Sequence, residues 1–384
     1  MDPSQQTVLL EAPREVSLAQ LEQELTQLWK EAESTHDDSV RPVIRACTMN
    51  LLVVTEDETH ADAVAAMVGE ITLEHPARIF LVILDRQSHE SSLNAWISAR
   101  CAIPEPGQEQ ICCEQITLVA RGQDIEKITS AVTSLLVPDV STTLLWKAPI
   151  DVSDPTLRSL LAITDRALID SSEELAPLPA LLAWRTLVHA GIGIATLGDL
   201  GWTHVTAWRA VIGKAFQSPE ARRRLDVLDS VTLEYSSTLN PRHSGFSQAL
   251  LLVGWLAHAL GWKSTGAHGV VQEGSVHCSF RKGDTEVQVH LLPVASEGKD
   301  PGGIERIVVS AGADFTVEFR EREPRSEIVM TETRGGQSVQ SVVPLRTLSE
   351  SELIAGELEI LQRDEQYERS LDALAAVVAG DGSS

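Results

Sequence analysis

Aromatic side chains are scarce in this chain: eight Trp, two Tyr and six Phe make up 4% of its 384 residues. The core must therefore be built mainly from aliphatic residues, and any cluster of rings stands out. Basic residues are short as well, with 31 Lys and Arg against 55 Asp and Glu, a net charge of −24. Such a surface repels phosphate, which argues against nucleic acid and anionic membrane as partners. A partner with a basic patch would be attracted, although the same acidity also serves plain solubility. Long apolar runs are missing. The longest, about a dozen residues within SQALLLVGWLAHALGW, falls short of the ~20 needed to cross a bilayer. The first residues, MDPSQQTVLLEAPREV, lack a basic stretch followed by an apolar core, so no signal peptide is read there and a cytoplasmic protein is expected.

Cysteine is sparse and irregular. Cys47, Cys101, Cys112, Cys113 and Cys278 are odd in number and evenly spaced nowhere, which argues against a disulfide framework. No CxxC occurs, so neither a zinc knuckle nor a thioredoxin-type motif is present. Cys112 and Cys113 are neighbours in a predicted strand, where their side chains point to opposite faces. The expectation is of buried structural thiols, with a redox switch as the alternative.

The motifs of common chemistry are absent too. No GxGxxG follows the first strand, which runs into TEDETHAD, four carboxylates that would repel a phosphate. The Gly-rich GIGIATLGDLG at 191–201 lacks the Lys-Ser/Thr ending of a phosphate loop. There is no GxSxG and no HExxH. The eleven histidines are scattered singly, and His277 and His290 fall in alternating strands, expected to face outward. No catalytic residue, cofactor or metal is assigned.

What is present has a clear rhythm. Residues 16–36 carry Leu18, Leu21, Leu25 and Leu28 at helical spacing, with Ser17 as the N-cap. Strands are predicted over 43–55, 77–85, 93–103, 110–120, 142–148 and 166–172, and helices over 58–75, 124–137 and 154–163. Alternation of this kind specifies βαβ units on a mainly parallel, three-layer α/β sheet. The helix-free step between 93–103 and 110–120 predicts one antiparallel pair. Residues 174–262 read as mostly helical. From about residue 268 the pattern alternates apolar and polar residues, with turns at Gly283-Asp284 and Gly335-Gly336, as in an antiparallel meander. One closing helix spans SESELIAGELEILQRDEQYERSLDALAAVVAG, where Ser349 and Glu352 fit a capping box. The expected organisation is an N-terminal helical arm over 1–40, an α/β domain with a helical extension over 41–240, and an α+β domain over 241–384.

Two segments draw candidate site residues. In EHPARIF, His75 and Arg78 pair at a strand entrance where a phosphate could be held; a plain helix-to-strand turn at Pro76 explains the same residues. In DLGWTHVTAWR, residues 199–209, two of the eight tryptophans lie six positions apart. Thr206 as N-cap would start a helix that buries Trp208 with Ile212. Asp199, Trp202, His204 and Arg209 are then the candidates for docking a partner or ligand, since Trp and Arg are common interface anchors.

Together, HPARIFLVILD (75–85), CEQITLVARG (113–122), VPDVSTTLLWKAP (137–149), DLGWTHVTAWR (199–209) and LLVGWLAHALGW (251–262) resemble, in order, segments of the bacterial OpcA proteins. The family often has Arg where this chain has His204 and Pro where it has Ala207. The resemblance implies a non-catalytic protein that binds glucose-6-phosphate dehydrogenase and favours its active oligomer, supporting the oxidative pentose phosphate pathway and NADPH supply. The alternative from the residues alone is a sugar-phosphate-binding enzyme or sensor. It would use His75, Arg78 and the 191–201 loop at the carboxyl edge of the α/β sheet.

Overall fold

The computed structural model describes residues 7–9, 12–34, 43–56, 61–102, 110–191, 196–237, 244–271, 275–295, 303–322, 327–346, 348–360 and 362–379. The chain forms two compact units. The first comprises Met1–Ile169, Ala190–Gly198 and Ser349–Arg363; the second comprises Asp170–His189, Asp199–Leu348 and Asp364–Ser384.

The first unit holds the mainly parallel sheet. Its strands are β1 (Thr7–Leu9), β2 (Arg14–Val16), β3 (Val43–Arg45), β4 (Met49–Thr55), β5 (Ala77–Asp85), β6 (Ser92–Ala102), β7 (Gln110–Arg121), β8 (Ser141–Trp146) and β9 (Arg166–Ile169). β10 (Thr196–Asp199) completes an order of β1-β6-β7-β5-β4-β8-β9-β10, with β2 on β6 and β3 on β7. The runs MNLLVVT and ARIFLVILD are buried almost throughout, because helices α2 (Ala61–Glu74), α3 (Ile128–Leu135) and α4 (Pro155–Leu161) belong to crossovers between parallel strands. β6 and β7 are the predicted antiparallel pair. Helix α1 (Leu21–Ser34) buries Leu21, Leu25 and Leu28. Ser17 stands ahead of a short 3-10 turn there, but its side chain makes no cap bond.

The predicted strand 43–55 is two strands, β3 and β4, with different neighbours. The thiol expectation is corrected as well. Cys101 and Cys112 are directly opposite in the β6/β7 register, Cα atoms 4.0 Å apart, and form a disulfide. Strand register, which spacing in the sequence does not reveal, brings them together. Cys113 faces the other way and stays a buried free thiol, its pKa pushed up to about 11 mainly by burial.

The second unit joins helices to an eight-stranded sheet. The helices are α5 (Pro177–Ala190), α6 (Leu200–His204), α7 (Thr206–Ala215), α8 (Pro219–Arg224) and α9 (Phe246–Leu260). The strands are β11 (Ser230–Ser237), β12 (Lys263–Val271), β13 (Ser275–Lys282), β14 (Thr285–Ala295), β15 (Ile304–Ala311), β16 (Phe315–Arg322), β17 (Glu327–Arg334) and β18 (Gln337–Pro344). Their order is β12-β13-β14-β11-β15-β16-β17-β18. This corrects the simple meander: β11 precedes α9 in the chain yet lies between β14 and β15, parallel to β14. The expected turns are present, since Lys282 pairs with Thr285 and Arg334 with Gln337.

The single closing helix is in fact two. α10 (Glu350–Leu358) belongs to the first unit and α11 (Glu365–Ala379) to the second. α10 starts with the predicted capping box: Ser349 accepts from the Glu352 N–H, and Glu352 accepts from the Ser349 N–H. In α10, Glu357 meets Arg166 of β9 at 2.6 Å, both nearly buried. α9 and α11 pack closely at Gly254. A Cβ there would run into the Ser370 backbone carbonyl and reach Leu374 Cβ at 3.4 Å.

Candidate functional site

Segment 199–209 folds around one buried carboxylate. Asp199 ends β10 and caps α6 with extended backbone, φ −145° and ψ 121°. Its Oδ1 accepts the N–H of Gly201 at 2.9 Å and of Ser171 at 3.0 Å. Its Oδ2 accepts the Tyr367 hydroxyl of α11 at 3.2 Å. Asp199 is 1% exposed. Burial, with some repulsion from Asp170, pushes its pKa up to about 7 against the two backbone N–H bonds. A Cβ at Gly201 would come within 2.4 Å of the Ser171 hydroxyl, so a side chain there needs that hydroxyl to turn away.

Trp202 is held from several sides. Its Nε1 donates to Asp364 Oδ2 at 2.7 Å, and Asp364 Oδ1 accepts the Tyr367 N–H at 3.0 Å. The Tyr367 ring lies 5.6 Å away by centroid. The Arg209 guanidinium stacks 3.5 Å over the indole, a cation–π arrangement, and donates to the Thr206 hydroxyl at 2.8 Å. Thr206 is the first residue of α7 rather than its cap: Val205 occupies the cap position, and α6 runs straight into α7. Trp208 is buried, as are Val211 and Ile212 in the same helix. The outward-reaching part of the motif is Thr206, with His204, Ala207 and Arg209 half-buried beside it.

Thus Asp199, Trp202, His204 and Arg209 all lie in the second unit, and the structure brings Trp202 and Arg209 into contact. Arg209 stacks on Trp202. Tyr367, Asp364 and Ser171, which complete the cluster, were not singled out by sequence. Tyr367 lies 168 residues from its carboxylate partner, and nothing local marks it.

His75 and Arg78 belong to the first unit. His75 follows α2, its N–H bonds to Ile71 O at 3.0 Å, and its Nε2 is buried without a hydrogen-bond partner among the described residues. Arg78 is 4% exposed. Its guanidinium donates to Glu114 at 2.8 Å, Glu22 at 2.7 Å and the Leu135 carbonyl at 2.7 Å. Burial opposes its charge, but the two carboxylates outweigh it and hold its pKa above the ordinary value. Glu114 also takes Trp29 Nε1 at 2.6 Å and Arg45 at 2.8 Å. Arg78 therefore knits α1, β5 and β7. In the 191–201 loop, residues 192–195 lie outside the described residues.

Residues 68–186 match the OpcA family described as glucose-6-phosphate dehydrogenase subunit N-terminal domain, and residues 195–371 match the corresponding C-terminal domain. A protein of Nostoc punctiforme described as OxPP cycle protein OpcA is 29% identical, covering 80% of this chain and 66% of its own length. One of Synechocystis with the same description is 27% identical, covering 80% and 65%. The chain thus spans about two thirds of these relatives' length. Among solved structures, an oxidoreductase domain protein from Kribbella flavida superposes with a TM-score of 0.46 at 11% identity, covering 86% of this chain and 96% of that one.

Proposed function

The chain belongs to the OpcA family, and on that premise we propose that it is a non-catalytic assembly factor and activator of glucose-6-phosphate dehydrogenase. It binds the enzyme, favours its active oligomer and so supports the oxidative pentose phosphate pathway and NADPH production. The match to both family domains, which together span most of the chain, carries this reading.

The local geometry supports it. Asp199, whose pKa near 7 would suit a general acid or base, has both oxygens engaged and is closed off by Tyr367, Ser171 and Gly201. The cluster is built to hold Trp202 and to present Arg209 and His204. Arg78 has its donors committed to Glu114, Glu22 and a carbonyl, which disfavours the sugar-phosphate alternative at that position. The net charge of −24 favours a dehydrogenase surface with basic patches.

Activation requires that the active state be bound more tightly than the inactive one, since equal binding shifts nothing. A tenfold shift needs ~1.4 kcal/mol of differential affinity, within reach of a few anchors. The test is sedimentation of the chain mixed with its cognate dehydrogenase. A complex larger than either component is expected, and independent sedimentation of the two would refute the reading. Calorimetry with glucose 6-phosphate on the chain alone should show no heat of binding. Saturable binding would favour the sensor reading instead.

A further inference from the structure

Histidines 277 and 290 belong to neither cluster described above. They sit directly opposite each other on β13 and β14. On both strands the alternate positions, Val276, Cys278, Val289 and Leu291, are buried, so the two histidines share the other, half-buried face of the sheet. Their Nδ1 atoms touch, and the rings stand edge to face, 4.6 Å apart by centroid. A cross-strand pair normally splays its polar ends toward water, whereas here the two Nδ1 atoms meet.

We propose that His277 and His290 form a two-histidine site for a borderline first-row divalent ion such as Zn²⁺, Ni²⁺ or Cu²⁺. Imidazole nitrogen is a preferred donor for these ions, while Mg²⁺ and Ca²⁺ prefer oxygen. Metal–nitrogen bonds of about 2.0–2.1 Å need the two Nδ1 atoms roughly 3 Å apart, a small opening from their present contact. In the metal-free pair, one Nδ1–H donates to the other Nδ1. On binding, that proton moves to Nε2 of the same ring, and both Nδ1 lone pairs go to the ion.

The surroundings fit. Ser279 and Gln288, the next pair along the same face, bond to each other at 3.0 Å and leave the imidazoles uncontested. Among the described residues no third His, Cys, Asp or Glu joins the pair to hold an ion. The β12 backbone passes His277 in an irregular stretch between the Ala267–Cys278 and Val270–Val276 pairs.

Titration calorimetry of the full chain with NiCl₂ or ZnCl₂ tests this. One equivalent should bind, and His277→Gln or His290→Gln should each weaken binding at least tenfold. His89→Gln, at an exposed histidine elsewhere, should leave it unchanged. Ring ¹⁵N spectra of the unmutated chain give an independent reading, in which the metal should shift the Nδ1 signals of two histidines together. Binding indifferent to both substitutions, or ring signals of these two histidines unmoved by metal, would overturn the proposal.

Discussion

Asp199 illustrates how a single residue can set the behaviour of its surroundings. Its pKa is raised from 3.8 to about 7, so between those values the folded state holds a proton that the unfolded state has lost. Its stabilising contribution is therefore full below the unfolded value and is lost as pH rises through 7, with a slope of at most about 1.4 kcal/mol per pH unit. Asp199→Asn keeps the acceptor for Ser171 and Gly201 and can donate to Tyr367. Urea unfolding from about pH 5 to about pH 8 should show the variant gaining on the unmutated chain as pH rises, then levelling off. A constant difference across that range would contradict the raised pKa. Arg209 and Trp208 should separate binding from folding. Trp208→Ala empties a buried site and should cost about 3–5 kcal/mol of stability. Arg209→Ala loses a half-exposed stack worth about 0.5–1 kcal/mol but should weaken dehydrogenase activation more strongly. Unfolding curves and activation assays on both variants check this, and equal losses of both properties in both variants would refute the division.

Helix pairing is the feature to test at the scale of elements. α9 and α11 approach at Gly254, where any side chain meets backbone rather than a movable group. Gly254→Ala should destabilise the chain by about 1–3 kcal/mol despite the higher helix propensity of alanine. Denaturant midpoints measure it, and a stabilised variant would contradict the close packing. Elements with a strong local signature were legible in the sequence. The runs at 49–55 and 77–85 and the capping box at Ser349 needed no tertiary information. β10 and β11 were hidden within a segment that reads as helical, because four-residue TLGD is too short for a period and SVTLEYSS is flanked by helices. The split between α10 and α11 was missed because EILQRD, residues 359–364, carries no proline or glycine to mark a break. Of the candidate site, Trp202 and Arg209 were legible as a cluster. Tyr367 and Asp364 were not, because only the tertiary fold brings α11 to them.

At the scale of the whole molecule, two features matter most: each of the two units is built from segments that alternate along the chain, and the chain carries a strong negative charge. Each unit takes a helix from the C-terminal region, so truncation before α10 would remove part of both, including the partners of Arg166 and Asp199. The charge gives the proposed interaction an ionic-strength dependence, since screening shortens its reach to about 8 Å at physiological salt. The most direct test of the proposed role is the NADPH-forming rate of the cognate dehydrogenase as this chain is titrated in, with the enzyme's mass followed in the same samples. The account predicts a saturable rise in rate that tracks a shift to a larger, chain-containing oligomer. An unchanged rate and an unchanged mass at saturating chain would contradict it.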